Sequence, residues 1–283
     1  MLPLAHWTLQ ARRNLIGVFT DIDDTLTTEG AITPDALAAL GQLKAAGLQV
    51  IAITGRPIGW SEPFACGDAE RDHAPWPVDA IVAENGAAAF VENLSQKGLK
   101  PSWNMRGQLS KRYQQSAETR AHNYAAMQRV VAQVLREVPG TTVSQDSAGR
   151  ETDIAFDHSE FAHLGPADIA RVVALMQAAG MNATVSSIHI NGWFGSHNKL
   201  EGARWIVRER YGRDLNTEMD AWAYVGDSTN DQLMFAHFAH SVGVANIRRF
   251  EAALTHLPRY ITPSARGAGF AEVAAAIVEA HAP

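Results

Sequence analysis

Short apolar runs that end in polar clusters, with helical stretches between them, constrain this chain more than any other feature. Leu15 to Thr20, Gln49 to Ile53 and Ala80 to Ala83 are strand-like, and Pro34 to Ala46 between the first two is helical. That helix has a Thr33 N-cap, Pro34 at its first position, Leu37, Leu40 and Leu43 at helical spacing, and Gly47 as its stop. The far end repeats the pattern: strand Trp222 to Val225, helix Asn230 to Ala239, strand His240 to Val244 and a closing helix from Phe270 to Ala282. Strands alternating with helices predict an α/β fold, a Rossmann-like parallel sheet covered on both faces.

From Ala87 to Gly195 the pattern changes. Two long helices, Ala117 to Val138 and Pro166 to Ala179, are each followed by two short strand-like runs: Thr141 to Gln145 with Thr152 to Phe156, and Ala183 to Ser187 with Ile188 to Trp193. Strands joined by short turns are antiparallel in the simplest case. The prediction is a discontinuous core of residues 1–86 and 196–283, interrupted by an inserted α+β domain over residues 87–195.

A length of 283 residues, 46% hydrophobic and 19% charged, suits a globular protein with one large or two modest domains. A formal charge of −6 argues against a nucleic-acid surface. No apolar stretch approaches the roughly 20 residues of a membrane span, and Met1 to His6 does not read as a signal peptide. The single Cys66 has no partner for an internal disulfide and reads as a small filler. The expectation is a cytoplasmic protein without membrane or nucleic-acid partners.

In open α/β sheets, ligands bind beyond the carboxyl ends of the strands. After the first strand stand Asp21 and Asp23, which an extended chain projects to one face while Ile22 turns back. Two like charges about 4 Å apart repel by roughly 4 kcal/mol at an effective dielectric near 20, so the pair implies a bound cation or a shared proton. After the second strand come Thr54, Gly55 and Arg56, suited to an anion; after the third, Glu84, Asn85 and Gly86; after Val225, Gly226-Asp227-Ser228-Thr229-Asn230-Asp231. Lys199 opens a helix, where the helix dipole disfavours a cation. Asp21 can serve as a nucleophile, Asp23 as a proton donor and acceptor, Asp21 with Asp227 as a hard-cation site, and Thr54 with Lys199 as a phosphate cradle. Oxygen ligands favour magnesium over zinc.

These four clusters, Asp21-Ile22-Asp23-Asp24-Thr25, Thr54-Gly55-Arg56, Lys199 and Gly226 to Asp231, resemble in order and spacing the motifs of the haloacid dehalogenase superfamily of phosphohydrolases. The insert between the second and third motifs, with Glu84-Asn85-Gly86-Ala87 before it, is similar to the type IIB cap branch, which includes sucrose-phosphate, trehalose-phosphate and mannosyl-phosphoglycerate phosphatases and Cof-type relatives. The resemblance implies a phosphatase for a phosphorylated sugar or similar small phosphomonoester. Asp21 would form an aspartyl phosphate, and Asp23 would act as general acid and base.

By the same resemblance, Mg²⁺ would be held by Asp21, the Asp23 carbonyl and Asp227, with Asp231 and Asn230 completing the surroundings. Asp231 counts with the metal residues, Lys199 with the catalytic ones, and Asn230 with the substrate-binding ones. Thr54 and the Gly55 N–H would hold phosphate oxygens, with Arg56 and Asn85 nearby. Arg150, Asp153, His189, Asn191 and Trp193 of the insert are the candidate sugar contacts. Thr25 is expected to hydrogen-bond within its loop and Asp24 to cap the following turn. A phosphosugar mutase would use the same residues, and a non-catalytic sugar-phosphate sensor is a third reading. A monomer or homodimer is expected.

Overall fold

A computed structural model describes residues 1–70, 73–92 and 109–282. In chain order the strands are β1 (Leu2–Pro3), β2 (Gly17–Thr20), β3 (Thr27–Thr28), β4 (Ala31–Ile32), β5 (Gln49–Ile53), β6 (Ala80–Ala83), β7 (Ala88–Glu92), β8 (Leu109–Tyr113), β9 (Thr142–Val143), β10 (Ile154–Asp157), β11 (Asn182–Val185), β12 (His189–Trp193), β13 (Trp222–Gly226), β14 (His240–Gly243) and β15 (Tyr260–Ile261). The helices are α1 (Leu9–Arg13), α2 (Pro34–Ala45), α3 (Ile58–Cys66), α4 (Ala117–Glu137), α5 (Pro166–Ala178), α6 (Lys199–Tyr211), α7 (Gln232–His237) and α8 (Arg266–His281).

A nine-stranded sheet runs β1-β15-β14-β13-β2-β5-β6-β7-β8. It is parallel from β1 to β6, and β7 and β8 add antiparallel to that edge. Side chains alternate between its faces. Val18, Val50, Ala52 and Val225 pack with Leu40 and Leu43 of α2 and Phe270, Val273 and Ile277 of α8. Phe19, Ile51, Ile53 and Tyr224 pack on the other side with Ala203, Ile206 and Val207 of α6 and Met234 of α7. Residues of β2 are buried on both faces, as expected of a central parallel strand. Gly17 is glycine because Trp222 lies across it: a Cβ there would sit 2.3 Å from the indole ring.

The second sheet, β11-β12-β10-β9, is antiparallel. One face carries α4 and α5, with Met127, Val134, Phe156, Val172, Met176 and Ile190 in its core. The doubled helix-strand-strand unit is present at the expected places, but the start of the insert is not. Strands β7 and β8 lie within the segment expected to form the insert, yet they extend the central sheet, so the chain leaves that sheet only after Tyr113. Ala88 to Val91 are apolar and buried, which suits a sheet position. Residues 93–108 of the expected insert lie outside the described residues. The helix expected from Asn230 is also shorter and broken, a 3₁₀ turn Thr229–Asp231 followed by α7. No helix among the described residues is long and apolar enough to cross a membrane.

His197 lies on the return from the second sheet to α6, 4% exposed and stacked on Trp193 with ring centroids 5.5 Å apart. Burial depresses its pKa from 6.5 to about 4. A histidine held neutral contributes stability that is complete above pH 6.5 and is lost as the pH falls through about 4. His197→Phe keeps the stacked ring without the titration, so its melting temperature should fall less than that of the wild type between pH 7 and pH 4. Parallel thermal melts check this; identical pH slopes would discard the account.

Candidate active site

Asp21 begins where β2 stops, and its N–H donates to the Val225 carbonyl at 2.9 Å, extending the pairing with β13 past the strand end. This places Asp21 beside Asp227, which follows β13. Asn198 caps α6 by accepting the N–H of Glu201 at 3.0 Å, which sets Lys199 at the first helical position. Its ammonium donates to Asp21 Oδ1 at 2.5 Å and to Asp231 Oδ1 at 2.6 Å. These buried ion pairs outweigh the unfavourable helix dipole, which is worth under about 1 kcal/mol at an exposed site. Burial alone would lower the Lys199 pKa, but the two carboxylates more than reverse this and hold it above its ordinary value.

Asp21, Asp227 and Asp231 each offer one carboxylate oxygen, and these oxygens lie within 4.8 Å of one another. Asp231 is fully used. Its Oδ1 also accepts from the Tyr224 hydroxyl at 2.5 Å, and its Oδ2 accepts the N–H groups of Asp227 at 2.9 Å and Ser228 at 3.1 Å. Asp227 differs: Oδ2 accepts from Asn246 at 2.8 Å, while Oδ1 is buried with no partner. Burial, then the neighbouring Asp231 and Asp23 charges, push Asp21 up to about 8 against the pull of Lys199, and burial with Asp21 and Asp231 raises Asp227 well above the carboxylate range. The Lys199 ammonium and the half-exposed Arg249 guanidinium, 3.3 Å from Asp227 Oδ2 and shared with Asp24, do not balance three buried carboxylates. A buried, unpartnered carboxylate oxygen in a cluster with excess negative charge is what a hard divalent cation with oxygen ligands would satisfy.

The Asp23 side chain is held elsewhere. Arg56 donates through Nε to both of its oxygens, at 3.0 and 3.1 Å, and also reaches Asp146 at 3.1 Å and Glu160 at 2.8 Å on the second sheet's side. Glu160 Oε2 is 2.8 Å from His189 Nε2, without hydrogen-bond alignment. Asp157 places Glu160: its carboxylate accepts four N–H groups in the turn after β10, from Ser159 to Ala162, at 2.8 to 3.1 Å. Between the layers is a cavity of about 10 Å³, room for about one water. Its lining draws on Asp21, Asp23, Gly55, Arg56 and Asn230 from the first layer and on His189 and Asn191 from the second.

Other expected residues take different places. Thr54 is fully buried, and its hydroxyl accepts the Arg56 N–H at 3.0 Å. Asn85 is buried in a left-handed conformation (φ 54°); its Nδ2 has no partner, and a Cβ on Gly55 would lie 3.3 Å from it. Arg150 does not line the cavity. Its guanidinium is buried against Asp153 at 2.8 Å, Asp146 and the Gly55 carbonyl at 3.0 Å, so with Asp153 it ties the layers together. Asn191 does both, lining the cavity and donating to Asp153 and Gly55. Trp193 is a core residue whose indole N–H donates to the His197 carbonyl, and it presents no face to a sugar. Thr25 Oγ1 has no partner, and Asp24 pairs with Arg249 at 2.7 Å and Arg266 at 3.1 Å rather than capping a turn.

Asp146, Glu160 and Asn246 went unrecognised in the sequence, and Glu84, named there within a strand-end cluster, was given no role. Glu84 is fully buried and accepts the N–H groups of Ile58, Glu151 and Thr152, a carboxylate tie between the two sheets. Its place at a strand end was the available signal; Glu160 and Asn246 carried none.

Residues 18–125 match a family model described as haloacid dehalogenase-like hydrolase. No curated protein matches the chain in sequence. Among solved structures, the fold is similar to a putative HAD/COF-like hydrolase from Plasmodium vivax (TM-score 0.65, 16% identity, 96% of this chain and 99% of that one). It is also similar to the sucrose-phosphatase of Synechocystis sp. PCC6803, solved with sucrose and phosphate (0.60, 14%, 93% and 97%), and to the HAD subclass IIB sugar phosphatase BT4131 (0.56, 17%, 92% and 96%).

Gly226 is needed because a Cβ there would lie 2.5 Å from Asp231 Oδ2. Gly226→Ala should displace that carboxylate and cost roughly 1–3 kcal/mol, as overpacking does. Urea unfolding measures it, and an unchanged midpoint would discard the close-packing account.

Proposed function

We propose that this chain, a haloacid dehalogenase-like hydrolase by its residues 18–125 and by its fold, is a Mg²⁺-dependent phosphatase of a phosphorylated sugar or similar small phosphomonoester. The observation that carries the reading is Asp21, held at 2.5 Å by Lys199 and adjacent to the unpartnered Oδ1 of Asp227. Asp21 and Asp227, with the Asp23 carbonyl, would hold the cation, and Asp231 would keep their loop in shape. When bound, Mg²⁺ supplies charge neutralisation between carboxylate and phosphate.

In the first step an Asp21 oxygen attacks phosphorus, the bond to the leaving oxygen breaks, and Asp23 gives that oxygen a proton. In the second, water attacks the aspartyl phosphate, Asp23 takes the water's proton, and inorganic phosphate departs with Asp21 restored. Lys199 stays protonated and balances charge on the phosphoryl oxygens. The Gly55 N–H and the unpartnered amide of Asn85 would hold the same group. Asp23 can act only when Arg56 lets go of it, so a substrate that draws Arg56 to itself frees the acid and base.

The leaving group would meet Glu160, Asp146 and His189. Carboxylates accept hydrogen bonds and hydroxyls donate them, so this wall suits a neutral polyol; a second anionic group would face two carboxylates. The proposed partner is therefore a small phosphorylated polyol, handled in the cytoplasm by a monomer or homodimer, with the layer from Gln114 to Gly195 as the cap over the site.

Phosphate release from a panel of phosphate esters should require Mg²⁺, stop with EDTA and fall to background in Asp21→Asn. Activity that persists in that variant would overturn the nucleophile. Free phosphate appearing in proportion to substrate loss separates a phosphatase from a mutase. Glu160→Ala should lower kcat/KM for sugar phosphates by about ten- to a hundredfold, the worth of hydrogen bonds to a charged group, and spare p-nitrophenyl phosphate. An equal loss on both substrates would remove Glu160 from leaving-group recognition.

A further inference from the structure

The turn after β14 enters the cation site from outside all four sequence clusters. Asn246 lies in the 3₁₀ segment Ala245–Ala253. Its Nδ2 donates to Asp227 Oδ2 at 2.8 Å and to the Asp24 carbonyl at 3.0 Å, and its Oδ1 accepts the Arg266 N–H at 2.9 Å. The Arg266 N–H can only donate and the Asp24 carbonyl can only accept, so the network admits one orientation of the amide. Arg249, from the same segment, reaches Asp24 Oδ2 at 2.7 Å and Asp227 Oδ2 at 3.3 Å.

Both backbone partners of Asn246 are left-handed without being glycine: Asp24 at φ 55° and Arg266 at φ 56°. Such a conformation is strained for a residue with a side chain and persists where its surroundings over-determine it. Asn246 thus joins three segments, the loop after β2, the loop after β13 and the start of α8, around one carboxylate.

We infer that Asn246 is a positioning residue for the divalent cation: by occupying Asp227 Oδ2 it leaves Oδ1 as the oxygen turned toward Asp21. A carboxylate free to rotate could offer either oxygen; held at Oδ2 by Asn246 at 2.8 Å, with Arg249 at 3.3 Å on the same oxygen, it presents a single pre-oriented ligand. Partners of metal ligands act in this way and are typically worth 10- to 100-fold in affinity. The inference rests on the cation assignment proposed above.

The test measures Mn²⁺ alone by electron paramagnetic resonance, with Mg²⁺ as competitor and no substrate. Wild type should bind one ion per chain in the cluster, and Asn246→Ala should bind it at least about tenfold more weakly while melting as a folded protein. Asn246→Asp replaces the donor with a second carboxylate and should also bind more weakly; tighter binding there would mean that charge, not orientation, sets the affinity, and would overturn the inference. Turnover at saturating Mg²⁺ should recover in Asn246→Ala, because the ligand is misplaced rather than lost. Equal Mn²⁺ affinities in wild type and Asn246→Ala would overturn the role of Asn246 and leave the phosphatase reading intact. A wild type that binds no Mn²⁺ would overturn the cation site and this inference with it. Should the alanine variant fail to fold, Asn246→Ser is measured in the same way, with the same expectation and the same overturning result.

Discussion

A buried ammonium shared between two carboxylates organises the whole site. Lys199 ties the end of β2, through Asp21, to the turn after β13, through Asp231. Removing either partner would leave an uncompensated charge in a buried place, which typically costs about 3–5 kcal/mol. The same arrangement leaves the cluster short of positive charge, which is the shortage the proposed cation would fill. Asp231 is saturated by four donors and gives shape; Asp227 keeps one oxygen unspent.

A second set of charges fixes the upper layer. Glu84 accepts from the start of α3 and from the segment before β10, Arg150 reaches the Gly55 carbonyl, and Arg56 spans Asp23, Asp146 and Glu160. These contacts are polar and directional, whereas the apolar cores of the two layers are separate clusters. Parting two layers joined by ion pairs and backbone acceptors would expose neither hydrophobic core, and the space between them has room for about one water.

Much of this was legible in the sequence because chemistry here sits at strand ends. Asp21, Asp227 and Asp231 come together because parallel strands deliver their carboxyl ends to one edge, where the start of α6 brings Lys199, and the helix signals at Thr33 and Pro34 marked the helix between the first two strands. The insert was harder. Strands β7 and β8 looked like part of it because antiparallel edge strands read the same in either sheet. Arg150 and Trp193 were misplaced because a polar or aromatic residue near a strand end carries no record of which way it faces; Arg150 has carboxylates beneath it, and the Trp193 indole hydrogen-bonds within its own layer. Asn246 and Glu160 owe their roles to partners distant in sequence, beyond the reach of any local pattern.

The chain crosses between the two layers twice, and the crossings touch. Gln115 Nε2 donates to the Phe194 carbonyl at 3.1 Å, and Gln114 holds the Gly86 carbonyl at 2.7 Å. The returning crossing runs through His197 and Asn198 straight into Lys199. The returning crossing and the Lys199 ammonium thus share one short stretch of chain, so a displacement of the upper layer would reach, within a few residues, the cation that pins Asp21.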